Sequence, residues 1–150
     1  MKDLLIHDFT NDIFQNAFKA YFAELDIEVA NWDRLFLGMN TEQGNIGIVR
    51  ISPEGDTIGF IQFRIDQLKN WFFEEKIGFV RELWVAKAWR RSGHGAALMQ
   101  AAENYFSDNH VYKAVLTTDT APHFFMHQGY HRDSSYTAQN EDEVFIKLLS

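Results

Sequence analysis

The residues best suited to chemistry sit in one turn, Arg90-Arg91-Ser92-Gly93-His94-Gly95-Ala96. Two glycines separated by one residue let the main chain approach a ligand with no Cβ in the way. Arg90 and Arg91 add charge that can pair with phosphate oxygens. The turn is not a Walker loop, because no Gly-Lys-Ser/Thr ending follows. Nor is it the G-x-G-x-x-G dinucleotide fingerprint, since Leu98 and Met99 lie where a third glycine would be sought.

Whether such a turn binds an anion depends on the elements beside it. Phe79 to Val85 is a short apolar run carrying Arg81 and Glu82, which predicts a strand. Ala96 to Phe106 places Leu98, Met99, Ala102, Tyr105 and Phe106 at helical spacing and predicts a helix with one buried face. Between them, Ala86 to Gly95 is basic and glycine-containing. Strand, turn and helix in that order leave unpaired N–H groups at the positive end of a helix, an arrangement that binds phosphate.

The rest of the chain supplies the frame. Leu4 to His7 predicts a first strand, and Thr10 to Asp12 offers a helix cap. Ile13, Phe14, Ala17, Phe18, Tyr21, Phe22 and Leu25 then recur at steps of one, three and four, an amphipathic helix whose aromatics are read as core. Trp32, Leu35, Phe36 and Met39 fit a second short helix. Asn45 to Ile51 and Thr57 to Ile65 predict a hairpin across the turn Ser52-Pro53-Glu54-Gly55-Asp56. The connection Asp66 to Lys76 holds Trp71, Phe72 and Phe73, which cannot all enter a core from one strand face. They line a pocket or meet a partner, or else belong to a strand buried on both sides; the first is preferred. Lys113 to Thr118 predicts a strand, and Thr120 to Gln128 a short helix with Pro122 near its start and Gly129 at its stop. His131 to Tyr136 and Val144 to Leu149 are the closing strands. The order β-α-α-β-β-β-α-β-α-β-β describes an α/β protein with a mixed sheet.

A chain of 150 residues is the usual size of one domain, and 46% apolar residues suffice for a core. No apolar run approaches the ~20 residues of a bilayer span. The start MKDLLIHDF lacks the pattern of a secretory signal. With no cysteine, disulfides and thiolate chemistry are excluded, and a cytoplasmic setting is expected. The net charge of −7 argues against nucleic-acid binding. Against it, Lys87, Arg90 and Arg91 make a local positive site, suited to an anionic cofactor met by a cationic second substrate. His123 and His127 have metal-ligand spacing but no third ligand, so no metal is expected.

The turn matches the acyl-CoA loop of the GNAT-type N-acetyltransferases, written Q/R-x-x-G-x-G/A, with Arg90, Gly93 and Gly95 in its defining positions. Glu82-Leu83-Trp84-Val85 resembles that family's fourth strand, and Ala121 to Tyr130, APHFFMHQGY, resembles its late helix ending in Gly-aromatic. The resemblance implies the GNAT-type fold over residues 1–150: a mixed, largely antiparallel sheet of six or seven strands with helices on both faces. It also implies acetyl transfer from acetyl-CoA to a primary amine, a small cationic amine or an amino terminus, by direct attack in a ternary complex. Main-chain groups of Leu83, Trp84 and Val85 are then expected to pair with pantetheine, and Arg91, Ser92, Gly93, His94, Gly95 and Ala96 to take the pyrophosphate. His94 is expected to bind through its N–H with its side chain in solvent. Thr118 stands where the family often has an asparagine that contacts the cofactor. The acidic segment Glu24, Asp26 and Glu28 falls in the region over the acceptor.

Two readings of Glu82 stand side by side. By resemblance it occupies a position where several such enzymes keep a base that works through water; otherwise it pairs with Arg81 or across the sheet on a solvated end. The family's usual acid, a tyrosine four residues before the Gly-aromatic pair, is here Phe125. Either His123, His127 or Tyr136 takes its place, or the thiolate, whose acid has a pKa near ~8.5, leaves unprotonated. The alternative function is a degenerate acyl-CoA-binding module with little or no turnover. Exposed aromatics at Trp71 to Phe73 are compatible with a homodimer.

Overall fold

Asn11 begins the first helix: its side-chain oxygen accepts from the N–H groups of Ile13 and Phe14, satisfying two donors that the helix leaves orphaned. In the computed structural model, which describes all 150 residues, the elements run β1 (Lys2–Ile6), α1 (Asp12–Glu24), α2 (Trp32–Thr41), β2 (Asn45–Ile51), β3 (Thr57–Lys69), β4 (Glu74–Val85), α3 (His94–Asp108), β5 (Lys113–Thr118), α4 (Pro122–His127), β6 (His131–Arg132) and β7 (Glu143–Leu148). One 3-10 turn, Lys87–Trp89, joins β4 to α3. The predicted element order stands. All seven strands form one sheet in the order β1-β2-β3-β4-β5-β7-β6. Every neighbouring pair is antiparallel except β4 and β5, which are parallel.

Strand alternation puts the two larger hydrophobic clusters on opposite faces of the sheet. Phe14, Phe18 and Phe36 from the first two helices pack with Val49, Phe60 and Trp84 on one face. Leu98, Met99, Ala102 and Phe106 of α3 pack with Ile48, Ile61, Phe63 and Val80 on the other. Helices therefore cover both faces, and β4 sends Glu82 and Trp84 toward α1 while Leu83 and Val85 face α3.

Two expectations are corrected. The segment Asp66 to Lys76 is not a connection, because β3 and β4 continue as a paired ribbon from Asp66↔Ile77 to Lys69↔Glu74. Trp71, Phe72 and Phe73 sit at its tip, 98%, 94% and 60% exposed, and line neither a pocket nor a strand buried on both faces. Of the strand expected at His131 to Tyr136, only His131 and Arg132 pair with β7; Asp133 and Ser135 turn the chain away through the Asp133 carboxylate.

The feature that positions a site is the junction of β4 and β5. They pair only at Gly78↔Ala114 and Phe79↔Val115. Gly78 is needed there, since a Cβ would lie 2.6 Å from the Phe106 ring of α3. Beyond that point the strands diverge, and β4 runs on to Val85 with no strand on its β5 side. A bulge at Arg81, between the pairs Gln62↔Glu82 and Phe63↔Val80, bends β4 as it leaves its neighbour.

Candidate active site

At the open end of β4 three elements converge. A Cβ on Gly95, in the first turn of α3, would lie 3.2 Å from Phe124 of α4 and 3.8 Å from a Val85 methyl. The chain enters α3 through two left-handed residues, Arg91 at φ 62° and Gly93 at φ 84°. At Gly93 that conformation favours glycine, and a Cβ there would meet nothing within 4 Å. The result is a concave run of main chain in which no group of the protein accepts the N–H of any residue from Arg91 to Ala96. Consecutive unpaired amides at a helix start, with the unpaired Arg91 side chain beside them, suit an anion such as pyrophosphate. The loop thus fits a phosphorylated ligand.

Arg90 is occupied elsewhere. Its Nε donates to the Val85 carbonyl at 2.8 Å, and its Nη2 lies 2.6 Å from Glu24 Oε2. That pairing, more than anything else, holds the Glu24 carboxyl below its ordinary range. Arg90 therefore braces the loop against β4 and α1 rather than offering a free charge. It also takes one of the main-chain acceptors read as open at Val85, and it removes Glu24 from the acidic set. Asp26 and Glu28 remain, lining with Trp32 and Lys19 an open depression of about 790 Å³ at the end of α1.

His94 departs from expectation. Its side chain is 8% exposed rather than in solvent, with Nδ1 3.2 Å from Arg50 Nη1 and the ring edge-on to Trp89. Arg50 in turn pairs with Asp3. The inward imidazole ties the loop to β2 and, through Arg50, to β1, while the His94 main-chain N–H has no acceptor in the protein.

Glu82 lies on the α1 face of β4, and the Tyr21 hydroxyl of α1 donates to its Oε2 at 2.6 Å. No donor in the protein takes its other oxygen. Burial pushes the Glu82 carboxyl above its usual range, and the hydrogen bond from Tyr21 and the charge of Arg81 only partly oppose this. Arg81 itself reaches Glu42 and Asn45 instead of pairing with Glu82. Burial also raises Tyr21, so it stays protonated as a donor.

The Thr118 hydroxyl is buried and accepts from the Ala121 N–H, starting the turn into α4. Phe125 packs against the α3 core, and the nearby Tyr130 hydroxyl is spent on buried Glu103. Tyr136 is bonded to Lys113, at the closed end of the β4–β5 junction, so it does not stand in at the open end. His123 and His127 lie exposed on α4.

A model of the acetyltransferase (GNAT) family matches residues 6–132. The chain belongs to the GNAT acetyltransferase family. Solved structures agree on the fold over nearly the whole length. Tetrahymena GCN5 is 14% identical with a TM-score of 0.70, covering 100% of this chain and 97% of its own. NAA60 of Arabidopsis thaliana, in complex with a bisubstrate analogue, is 12% identical at 0.69, covering 99% of each chain. An aminoglycoside 6'-N-acetyltransferase complexed with coenzyme A is 14% identical at 0.69, covering 99% and 97%. No curated protein matches the chain.

Within this GNAT chain, three polar groups near the diverging strands escape sequence reading. Tyr21 looks like one more core aromatic in a helix stripe, and only its hydroxyl signals a partner. Arg50 and Gln62 each interrupt an apolar run, residues 46–51 of β2 and 58–63 of β3, and that interruption of the pattern is the signal.

Proposed function

We propose that this chain transfers an acetyl group from acetyl-CoA to a primary amine, either a small cationic amine or an amino terminus, by direct attack in a ternary complex. One observation carries the proposal: β4 carries a half-buried carboxyl of raised proton affinity three residues before its end, and the chain beyond that end forms a run of unpaired amides. The amides from Arg91 to Ala96, among them those of Ser92, Gly93, His94 and Gly95, would hold the pyrophosphate with the Arg91 side chain. The unpaired edge at Leu83 and Trp84 would take the pantetheine. Bound there, acetyl-CoA supplies a thioester carbonyl open to attack and a thiolate leaving group. The bisubstrate analogue held by NAA60 and the coenzyme A held by the aminoglycoside acetyltransferase support an acyl-CoA cosubstrate.

The protein's own part is positioning and proton removal. An ammonium cannot attack until it loses a proton, and Glu82 is the base that accepts it. Its raised affinity brings it closer to the amine, which makes the transfer less uphill. Tyr21 fixes one carboxylate oxygen and leaves the other free for the incoming proton. Asp26 and Glu28 supply the negative field that draws a cation toward this face.

A single experiment tests the reading: incubate the protein with acetyl-CoA and a panel of polyamines, aminoglycosides and short peptides, and weigh the products. An acetylated amine, strongly reduced with Glu82→Gln, is the expected result. A second reading, an acyl-CoA-binding module without turnover, draws on Phe125 and on the engaged hydroxyl of Tyr130, which leave the thiolate without an acid. Binding of acetyl-CoA with no CoA released beyond the uncatalysed rate, across the panel, would favour it.

A further inference from the structure

Gln62 lies in the middle of β3 and is 2% exposed. Its register partners are Gly47 on β2 and Glu82 on β4. Residues directly opposite on antiparallel strands project to the same face. Here it is the α1 face, because Phe60 and its partner Trp84, two residues along, both pack in the α1–α2 core. Gly47 offers no side chain, and the Phe14 ring comes so close that a Cβ there would meet it at 3.2 Å. The Gln62 amide is therefore bounded by Phe14 on one flank and has the Glu82 carboxyl on the other.

Its Nε2 is buried and has no partner, and no other buried side-chain nitrogen or oxygen in the protein is left in that state. An unmet buried donor costs more than an ordinary hydrogen bond gains, so a group that accepts from it belongs there. Across the strand, Glu82 has the complementary vacancy, since Tyr21 takes only Oε2. A donor without an acceptor thus faces an acceptor without a donor, and no hydrogen bond joins the two. Side-chain tips of opposed strand residues, whose Cβ atoms stand about 4.5–5.5 Å apart, are within reach of one bridging oxygen.

We propose that Gln62 is a positioning residue for the transfer: its amide N–H and the free oxygen of Glu82 hold one water between them, and the ammonium proton reaches Glu82 through that water. The N–H bond of the ammonium breaks and its proton goes to the water oxygen. A water proton passes to the Glu82 oxygen in the same relay, so the water is regenerated and the amine lone pair is freed. Gln62 exchanges no proton. It orients the water so that a lone pair faces the amine. This rests on Glu82 as the base in the function proposed above.

The test is Gln62→Met, which keeps length and approximate volume while removing the amide. In protein labelled with carbon-13 at the glutamate carboxyl, the Glu82 resonance, assigned by its loss in Glu82→Gln, is titrated without substrates. Losing the bridged donor is expected to move its midpoint to higher pH by about half to one unit. In turnover, kcat is expected to fall about tenfold and the acidic limb of kcat/KM to move the same way, with the KM for acetyl-CoA within about twofold. An unchanged midpoint together with an unchanged pH profile would show that the amide only fills space and would overturn the proposal. If wild type acetylates no amine, the functional reading fails while the titration still decides the link between Gln62 and Glu82. If Gln62→Met does not fold, a high-resolution crystal structure of wild type decides. Water bonded to both groups supports the relay; a dry gap or a direct protein acceptor on the amide overturns it.

Discussion

Glu82 is set in a position that stability alone would not favour. Its folded-state pKa lies above the ordinary value because burial penalises the charge. The folded state therefore holds the proton more tightly than the unfolded chain. The resulting stability is present at low pH and is lost as pH rises through the folded pKa, leaving a penalty at neutrality. Glu82→Gln is accordingly expected to lower kcat/KM by on the order of 10²–10⁴ while leaving the melting temperature at pH 7 equal to or above wild type. The difference in melting temperature should shrink as pH falls below ~4.3, where the wild-type carboxyl is protonated in both states. A loss of both activity and stability would mean that the carboxylate is a structural partner instead. Tyr21→Phe makes the complementary test. It removes a hydrogen bond that lowers the Glu82 pKa, so the acidic limb of kcat/KM should move to higher pH. A limb that stays fixed would detach that titration from Glu82.

At the scale of elements, the site depends on close approaches that glycine allows. A Cβ on Gly59 of β3 would stand 2.3 Å from the Trp84 carbonyl oxygen and 3.0 Å from Val85 Cα, main chain that cannot step aside without opening the β3–β4 pair. Gly59→Ala is expected to cost at least about 1–3 kcal/mol in denaturant unfolding and to weaken acetyl-CoA binding, because it moves the strand end that carries the site. The two arginines of the loop should separate in the same assay. Arg91→Ala should weaken binding and flatten its salt dependence, since Arg91 is the unpaired charge beside the amides. Arg90→Ala should weaken binding with the salt dependence retained, and Glu24→Ala should reproduce it, because the pair acts by bracing the loop. Identical salt slopes for both arginine variants would contradict that division.

These elements also show what the sequence carried. The strand, turn and helix from Phe79 to Phe106 were legible because each is a local pattern, and the starts of β2, β3 and β5 were read correctly. What escaped was long-range or solvent-facing. His94 turns inward toward Arg50, 44 positions away, and Tyr21 meets Glu82 across 61. No local spacing announces such pairs. The ribbon beyond Ile65 went unread because it leaves the core, so no apolar alternation marks its charged strands. The turn 90–96 stands out by its glycines, yet two of its side chains lie otherwise than they read: Arg90 is held by Glu24 and His94 turns inward.

Across the whole molecule, an acidic chain sets a run of six unpaired amides and the unpaired Arg91 at one end of a diverging strand pair, with carboxylates on the α1 side. The hairpin tip at Trp71 to Phe73 stands apart from that site and touches no core. We propose it as the contact of a homodimer. Replacing all three residues by serine should change unfolding free energy by less than about 0.5 kcal/mol and shift sedimentation equilibrium toward monomer. Unaltered sedimentation would remove the tip from any account of assembly. Cofactor binding belongs to the other end. A calorimetric titration of the folded protein with acetyl-CoA, with ATP and NAD as controls, tests it. Micromolar binding of acetyl-CoA alone, weakened by Gly93→Asp, is the predicted result. No heat with acetyl-CoA, or equal binding of all three ligands, would contradict it and leave the loop as a structural turn in a GNAT-type fold.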